Sequence, residues 1–161
     1  MSHETFTLTR AFRARPEMLW QAWSDPALKR RWFADNGGPA WETLDYKLDF
    51  RVGGLETGRF RFIPDGASDI PSLAGIHENV THYLEIAEGA RIVTAYTMAL
   101  DGVIHSASLV SIGFEGTPEG SRLTLTETMH EIGRTDGVEG RKGGTSWLLD
   151  QLEKVLKEWT S

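Results

Sequence analysis

The chain has no cysteine. That excludes disulfides, thiolate nucleophiles and Cys-based metal sites, and it agrees with a reducing compartment. It also lacks any apolar run of the roughly 18 residues a membrane helix needs. Its start, Met1-Ser-His-Glu-Thr-Phe6, has neither the basic nor the apolar region of a signal peptide. The expectation is a cytoplasmic protein with no membrane insertion. Basic residues are not in excess: 17 Lys and Arg face 23 Asp and Glu, a net charge of -6, which speaks against a nucleic-acid partner. The histidines, His3, His77, His82, His105 and His130, never stand two or four residues apart, so neither a metal site nor another cofactor is expected. No Gly-x-Ser-x-Gly elbow marks a serine. The glycine-rich stretch from Gly137 to Ser146 is not a phosphate loop, because Gly143 and Gly144 separate Lys142 from Thr145. Repeats, low-complexity tracts and linkers are absent, and residues 1–161 read as one domain.

Aromatic surface, by contrast, is plentiful. Six tryptophans, Trp20, Trp23, Trp32, Trp41, Trp147 and Trp159, supply area for a core or for ligand walls. Phe6, Leu8 and Phe12 alternate with threonines, as in a half-buried strand. Pro16 opens a short helix bearing Leu19 and Trp23, and Asp25-Pro26 opens a second. That second helix is expected to show Leu28 and Trp32 on one face and Lys29, Arg30 and Arg31 on the others, ending at Asn36-Gly-Gly-Pro39. From Trp41 the pattern has period two. Tyr46, Leu48 and Phe50 alternate with charged residues, and Phe60 and Phe62 with Arg59 and Arg61. Pro64 to Pro71 reads as a loop, and strands are expected over 73–87, 91–100, 103–115 and 122–129. Glu88-Gly89 and Asp101-Gly102 mark hairpin turns.

The last stretch, Gly137 to Trp159, carries an uneven helical stripe. Leu148, Leu149, Leu152, Val155, Leu156 and Trp159 share a face, but towards the front the stripe meets only Gly144, Gly140 or Arg141, and Gly137. Either the helix begins at Thr145 behind a glycine loop, or it runs through the glycines and stands over a hollow. Glycine in a helix interior costs about 1 kcal/mol, which favours the first alternative. The sheet faces opposite favour the second, since they carry polar insertions among apolar residues.

Strand, two short helices, about six antiparallel strands and a long helix make an α+β arrangement. The order resembles the helix-grip fold of the START-like, birch-pollen-allergen-like (SRPBCC) superfamily. Within it, the chain is similar to domains related to the C-terminal part of the activator of heat-shock-protein-90 ATPase. The resemblance rests on Ala14-Arg-Pro-Glu-Met-Leu-Trp-Gln-Ala-Trp23, Trp32-Phe33, Asp49-Phe-Arg-Val-Gly-Gly54, Tyr83 to Val93, Thr124-Leu-Thr-Glu127 and Arg141 to Leu156. It implies a curved sheet of about seven strands around the C-terminal helix. It also implies a cavity for an apolar or amphipathic, lipid- or polyketide-like molecule under the helix's front half. A chaperone partner follows from the family's name alone, and the additional N-terminal domain of the eukaryotic activator is not expected here. A homodimer is compatible with the sequence.

Candidate cavity residues follow from strand phase. Tyr96 shares a face with Ile92, Thr94 and Met98. Ser106 and Ser108 share one with Val110, Ile112 and Phe114. Leu125 and Glu127 share one with Leu123 and Met129. On strand 73–87 the apolar count turns Ile76, Val80, Leu84 and Ile86 inward. The resemblance instead turns His77, Asn79, Thr81 and Tyr83 inward, with a bulge to switch the phase. Arg141, Gly144, Trp147, Leu148 and Gln151 are the helix-side candidates, and Trp32, Phe33 and Trp41 the mouth. The first functional reading is a ligand-binding domain. The alternative is a cyclase- or hydrolase-type enzyme, with Glu127 and His77 as acid–base groups and Tyr96 or Tyr83 orienting the substrate. Against that alternative, Glu127 has a structural use, pairing with Arg141 to anchor the helix.

Overall fold

The structure, a computed structural model, describes residues 3–36, 38, 40–64, 74–133 and 137–160. Strand β1 (His3–Phe12) leads into helix α1 (Pro16–Ser24), helix α2 (Pro26–Lys29) and a π-helical turn (Arg30–Ala34). Strands β2 (Trp41–Leu48), β3 (Leu55–Phe62), β4 (Gly75–Ala87), β5 (Arg91–Leu100), β6 (Val103–Thr117) and β7 (Gly120–Glu131) follow, and helix α3 (Gly137–Thr160) closes the described chain. Seven antiparallel strands form one sheet in the order β1-β7-β6-β5-β4-β3-β2. This is the expected helix-grip architecture.

Local chemistry accounts for the elements. Pro16 and Pro26 occupy first-turn positions, where a missing N–H is harmless. The Asp25 carboxylate accepts from the N–H groups of Ala27 and Leu28 at 2.9 and 3.2 Å. Asp101 and Gly102 both take positive φ, 49° and 82°, the conformation a two-residue hairpin turn requires. Register shifts at Thr43/Asp45, Tyr83/Glu85 and Met98/Ala99 interrupt the ladders, and such bulges bend and twist a strand.

The bulge at Tyr83/Glu85 settles strand β4. His77, Asn79, Thr81 and Tyr83 are buried, while Val80 and Leu84 are exposed. Beyond the bulge the phase switches and Ile86 packs on the core. The apolar count therefore fails for Val80 and Leu84. Leu73, the expected start of this strand, and residues 65–71 of the expected loop lie outside the described residues. So do Gly37, Pro39 and residues 134–136.

One other expectation is corrected. Lys29 is not on an outward face; it is 3% exposed. The π-helical turn begins just after it, closed by the Asp35 N–H to Arg30 carbonyl bond of 2.7 Å, and the wider turn alters the side-chain phase. Helix α3 follows the second of the two alternatives: it is continuous from Gly137 through Gly140, Gly143 and Gly144. Its back half does bury Leu149, Leu152, Val155 and Leu156 against Leu19, Trp23, Trp32 and Leu123. Each fully buried side chain of this size contributes roughly 1.5–3 kcal/mol. Trp159, expected in the same stripe, is 36% exposed.

Candidate functional site

The concave face and the front half of α3 enclose a cavity of about 380 Å³. Its sheet wall includes Thr94, Val110, Ile112 and Leu125, and its helix wall Gly140, Gly144, Leu148 and Leu149. An added methyl at Gly144 meets nothing within 4 Å, so the glycine leaves open space there. Trp41 and Trp147, each about two-fifths exposed, form the rim. An added methyl at Gly38 is 3.5 Å from both rings.

Of the sequence candidates, Trp32, Phe33, Trp41, His77, Asn79, Tyr83, Tyr96, Leu125, Glu127, Arg141, Gly144, Trp147 and Leu148 line this space. Ser106, Ser108 and Gln151 do not. The two serines are buried in the wall behind Arg141 and Glu127, where their hydroxyls are taken up. Gln151 is buried too, and its amide turns back to the Trp147 carbonyl at 3.5 Å.

The polar wall groups gather in two knots. In the first, Lys29 Nζ lies 2.9 Å from each Glu56 oxygen and 3.2 Å from Tyr83 Oη. Tyr83 Oη also donates to Glu56 Oε1 at 3.2 Å, and Tyr46 Oη donates to Oε2. The rings of Trp23, Trp32, Phe33 and Tyr83 surround the ammonium, with centroids 4.9–5.9 Å away. Burial pulls the Lys29 pKa down, but the charge of Glu56 and the Tyr83 oxygen outweigh it, and the net direction is up. Burial first, and then the Glu56 charge, raise Tyr46; burial raises Tyr83 to about 12.

In the second knot Tyr96 Oη, Ser108 Oγ and Arg141 donate to Glu127 Oε2 at 2.5, 2.7 and 3.2 Å. Arg141 also donates to Tyr96 Oη and to Ser106 Oγ, both at 2.8 Å. Burial raises the Tyr96 phenol despite the opposing Arg141 charge. Arg141 is itself raised: burial opposes its charge, and Tyr96 and Glu127 outweigh that. Through Arg141, α3 is tied to β5, β6 and β7.

Glu127 is paired with Arg141, so its anchoring role is present in the geometry. Glu127 and His77, the expected acid–base groups, both line the cavity but stand on different strands. Glu127 lies three strands from β4, opposite Tyr83 by way of Val110 and Thr94, and His77 is six residues further along β4. Measured along the sheet surface, at about 4.8 Å between strands and about 3.3 Å per residue, the two positions are separated by roughly 20–25 Å.

Sequence reasoning missed the Lys29–Glu56–Tyr46 knot. One signal was present: Glu56 is in phase with Gly58 and Phe60 on β3, which points it inward. Among the described residues no cluster of ligating side chains fit for a metal ion occurs, and no helix is long and apolar enough to cross a membrane.

A family profile described as Activator of Hsp90 ATPase homolog 1-like protein matches residues 13–157. A solved protein from Rhizobium leguminosarum is 35% identical, over 98% of this chain and 96% of that one, with a TM-score of 0.82. The Mll3558 protein from Rhizobium loti is 32% identical over 96% and 97%, with a TM-score of 0.79. An AHSA1-like protein from Aeromonas hydrophila, 19% identical over 98% and 94%, shares the fold with a TM-score of 0.66. No match was found among curated proteins.

Proposed function

The chain belongs to the Activator of Hsp90 ATPase homolog 1-like family, and from that premise and the cavity we propose that it is a binding domain for a small apolar or aromatic molecule of lipid or polyketide type. One observation carries the reading: about 380 Å³ of space under α3, with mostly apolar and aromatic walls and polar groups confined to two hydrogen-bonded knots. Ligand sites combine an apolar wall with a few fixed polar groups, and this volume falls in their usual range. The knots fix the walls, since a buried charge that keeps its partners has little freedom to move. The continuous glycine-bearing helix supports the reading too. Gly144 lines the cavity and adds no side-chain volume to it.

The test is a titration of the native protein with an anilinonaphthalene sulfonate dye, beside native mass spectrometry of protein taken from cells. Saturable one-to-one binding, with a co-purifying small molecule displaced by the dye, is the expected result. Dye uptake seen only after acid or denaturant treatment would sink the proposal.

A further inference from the structure

Glu127 is asymmetric in a way that its anchoring role leaves unexplained. An ionised carboxylate only accepts, with two oxygens and about four lone-pair positions. Here Tyr96, Ser108 and Arg141 all converge on Oε2. Among the described residues nothing donates to Oε1. The residue is 2% exposed and lines the cavity, yet Oε1 is not sealed inside protein. An acceptor oxygen that opens to the cavity takes its donor from whatever fills that space, so a ligand hydrogen-bond donor can be received there. The opposite knot offers no such opening. Both Glu56 oxygens are taken, and Tyr83 Oη both donates and accepts.

We propose that Glu127 Oε1 is a recognition point for a hydrogen-bond donor on the ligand, so that the ligand is an apolar or aromatic body with a neutral O–H or N–H at its inner end. The proposal rests on the reading of the cavity as a ligand site. Charge decides for a neutral donor. Arg141 already balances Glu127 at 3.2 Å, and its guanidinium lies 5.4 Å from the Tyr96 ring centroid. A ligand ammonium at Oε1 meets that cation at close range, whereas a hydroxyl or an indole-type N–H does not.

The isosteric variant Glu127→Gln gives the proposal a signed test. The three donors that converge on Oε2 select the amide oxygen for that place. The amide NH₂ then occupies the place of Oε1, where an acceptor becomes a donor. Indole, N-methylindole and quinoline are similar in size and differ in hydrogen bonding: a donor, neither, and an acceptor. Calorimetric or ligand-observed NMR titrations at neutral pH are expected to show indole binding the wild-type protein about tenfold more tightly than the other two. In Glu127→Gln, quinoline should overtake indole. Equal binding of all three to the wild type overturns the donor inference and leaves the cavity as a binding site. Failure of all three to bind at millimolar concentration, with no dye binding either, overturns both. The wild-type comparison stands whether or not the variant folds. Ser108→Ala, which removes one donor from Oε2 and leaves Oε1 in place, should keep the preference for indole.

Discussion

Gly143 and Gly144 are adjacent in the same helix, yet they should answer differently to the same substitution. Both are helical, and an added methyl at either meets nothing within 4 Å. Replacing either by Leu removes the glycine penalty of a helix interior, worth about 0.8–1 kcal/mol, and the added Cβ meets no neighbour in either place. In a domain of this size that corresponds to a rise in Tm of about 2–4 °C, and about twice that for the double variant. Their positions separate them: Gly144 lines the cavity and Gly143 does not. Leu at 144 places a branched side chain in the cavity, and Leu at 143 places one in solvent. Differential scanning calorimetry and dye titration of Gly143→Leu and Gly144→Leu measure both effects. The expected outcome is equal stabilisation, unchanged dye affinity for Gly143→Leu and a loss of tenfold or more for Gly144→Leu. Equal affinities in the two variants would refute the assignment of the cavity to this helix face. Absence of stabilisation in both would refute the helix itself ahead of Thr145.

Other perturbations address the knots and the sheet. Lys29→Met leaves Glu56 buried without its cation and should destabilise by roughly 3–5 kcal/mol in urea unfolding; a loss below about 1 kcal/mol contradicts the burial described. The chain's three tyrosines, Tyr46, Tyr83 and Tyr96, all have folded pKa values above the ordinary 10. The unfolded chain releases these protons first, so stability is complete below about pH 10 and falls above it, by about 1.4 kcal/mol per pH unit for each phenol. Phenolate absorbance is therefore expected to appear together with loss of the fold, and a free tyrosine titrating near pH 10 in the folded state counts against the knots. Leu84→Thr, on the exposed face of β4, should change stability by no more than about 0.5 kcal/mol, whereas Leu152→Ala should cost about 2–5 kcal/mol.

The residues explain why parts of this molecule were readable from sequence and parts were not. Strands β5, β6 and β7 alternate cleanly, so Tyr96, Val110, Ile112, Leu125 and Glu127 could be assigned to the concave face by counting. Strand β4 misleads the count, because its polar residues His77, Asn79 and Thr81 face a cavity while Val80 and Leu84 face outward; hydrophobic periodicity presumes a filled core. Phase also cannot say whether an inward side chain reaches the cavity or is consumed by a neighbour, which is why Ser106 and Ser108 were misplaced. Lys29 escaped because its partner Glu56 is 27 residues away, on another element. An isolated lysine in a helix reads as solvated until its carboxylate is found.

The sheet order carries a kinetic consequence. Five of the six strand pairings join consecutive strands, but β1 pairs with β7, bringing residues 3–12 against 121–130. Closing so long a loop is entropically expensive and belongs late in assembly. Helix α3 follows β7 in the chain, so a species with only β2 to β6 in place presents Ile92, Val110 and Ile112 on an uncovered face. The space that suits a guest in the finished protein is, during folding, a sticky open surface, and the yield of refolding should fall steeply as protein concentration rises.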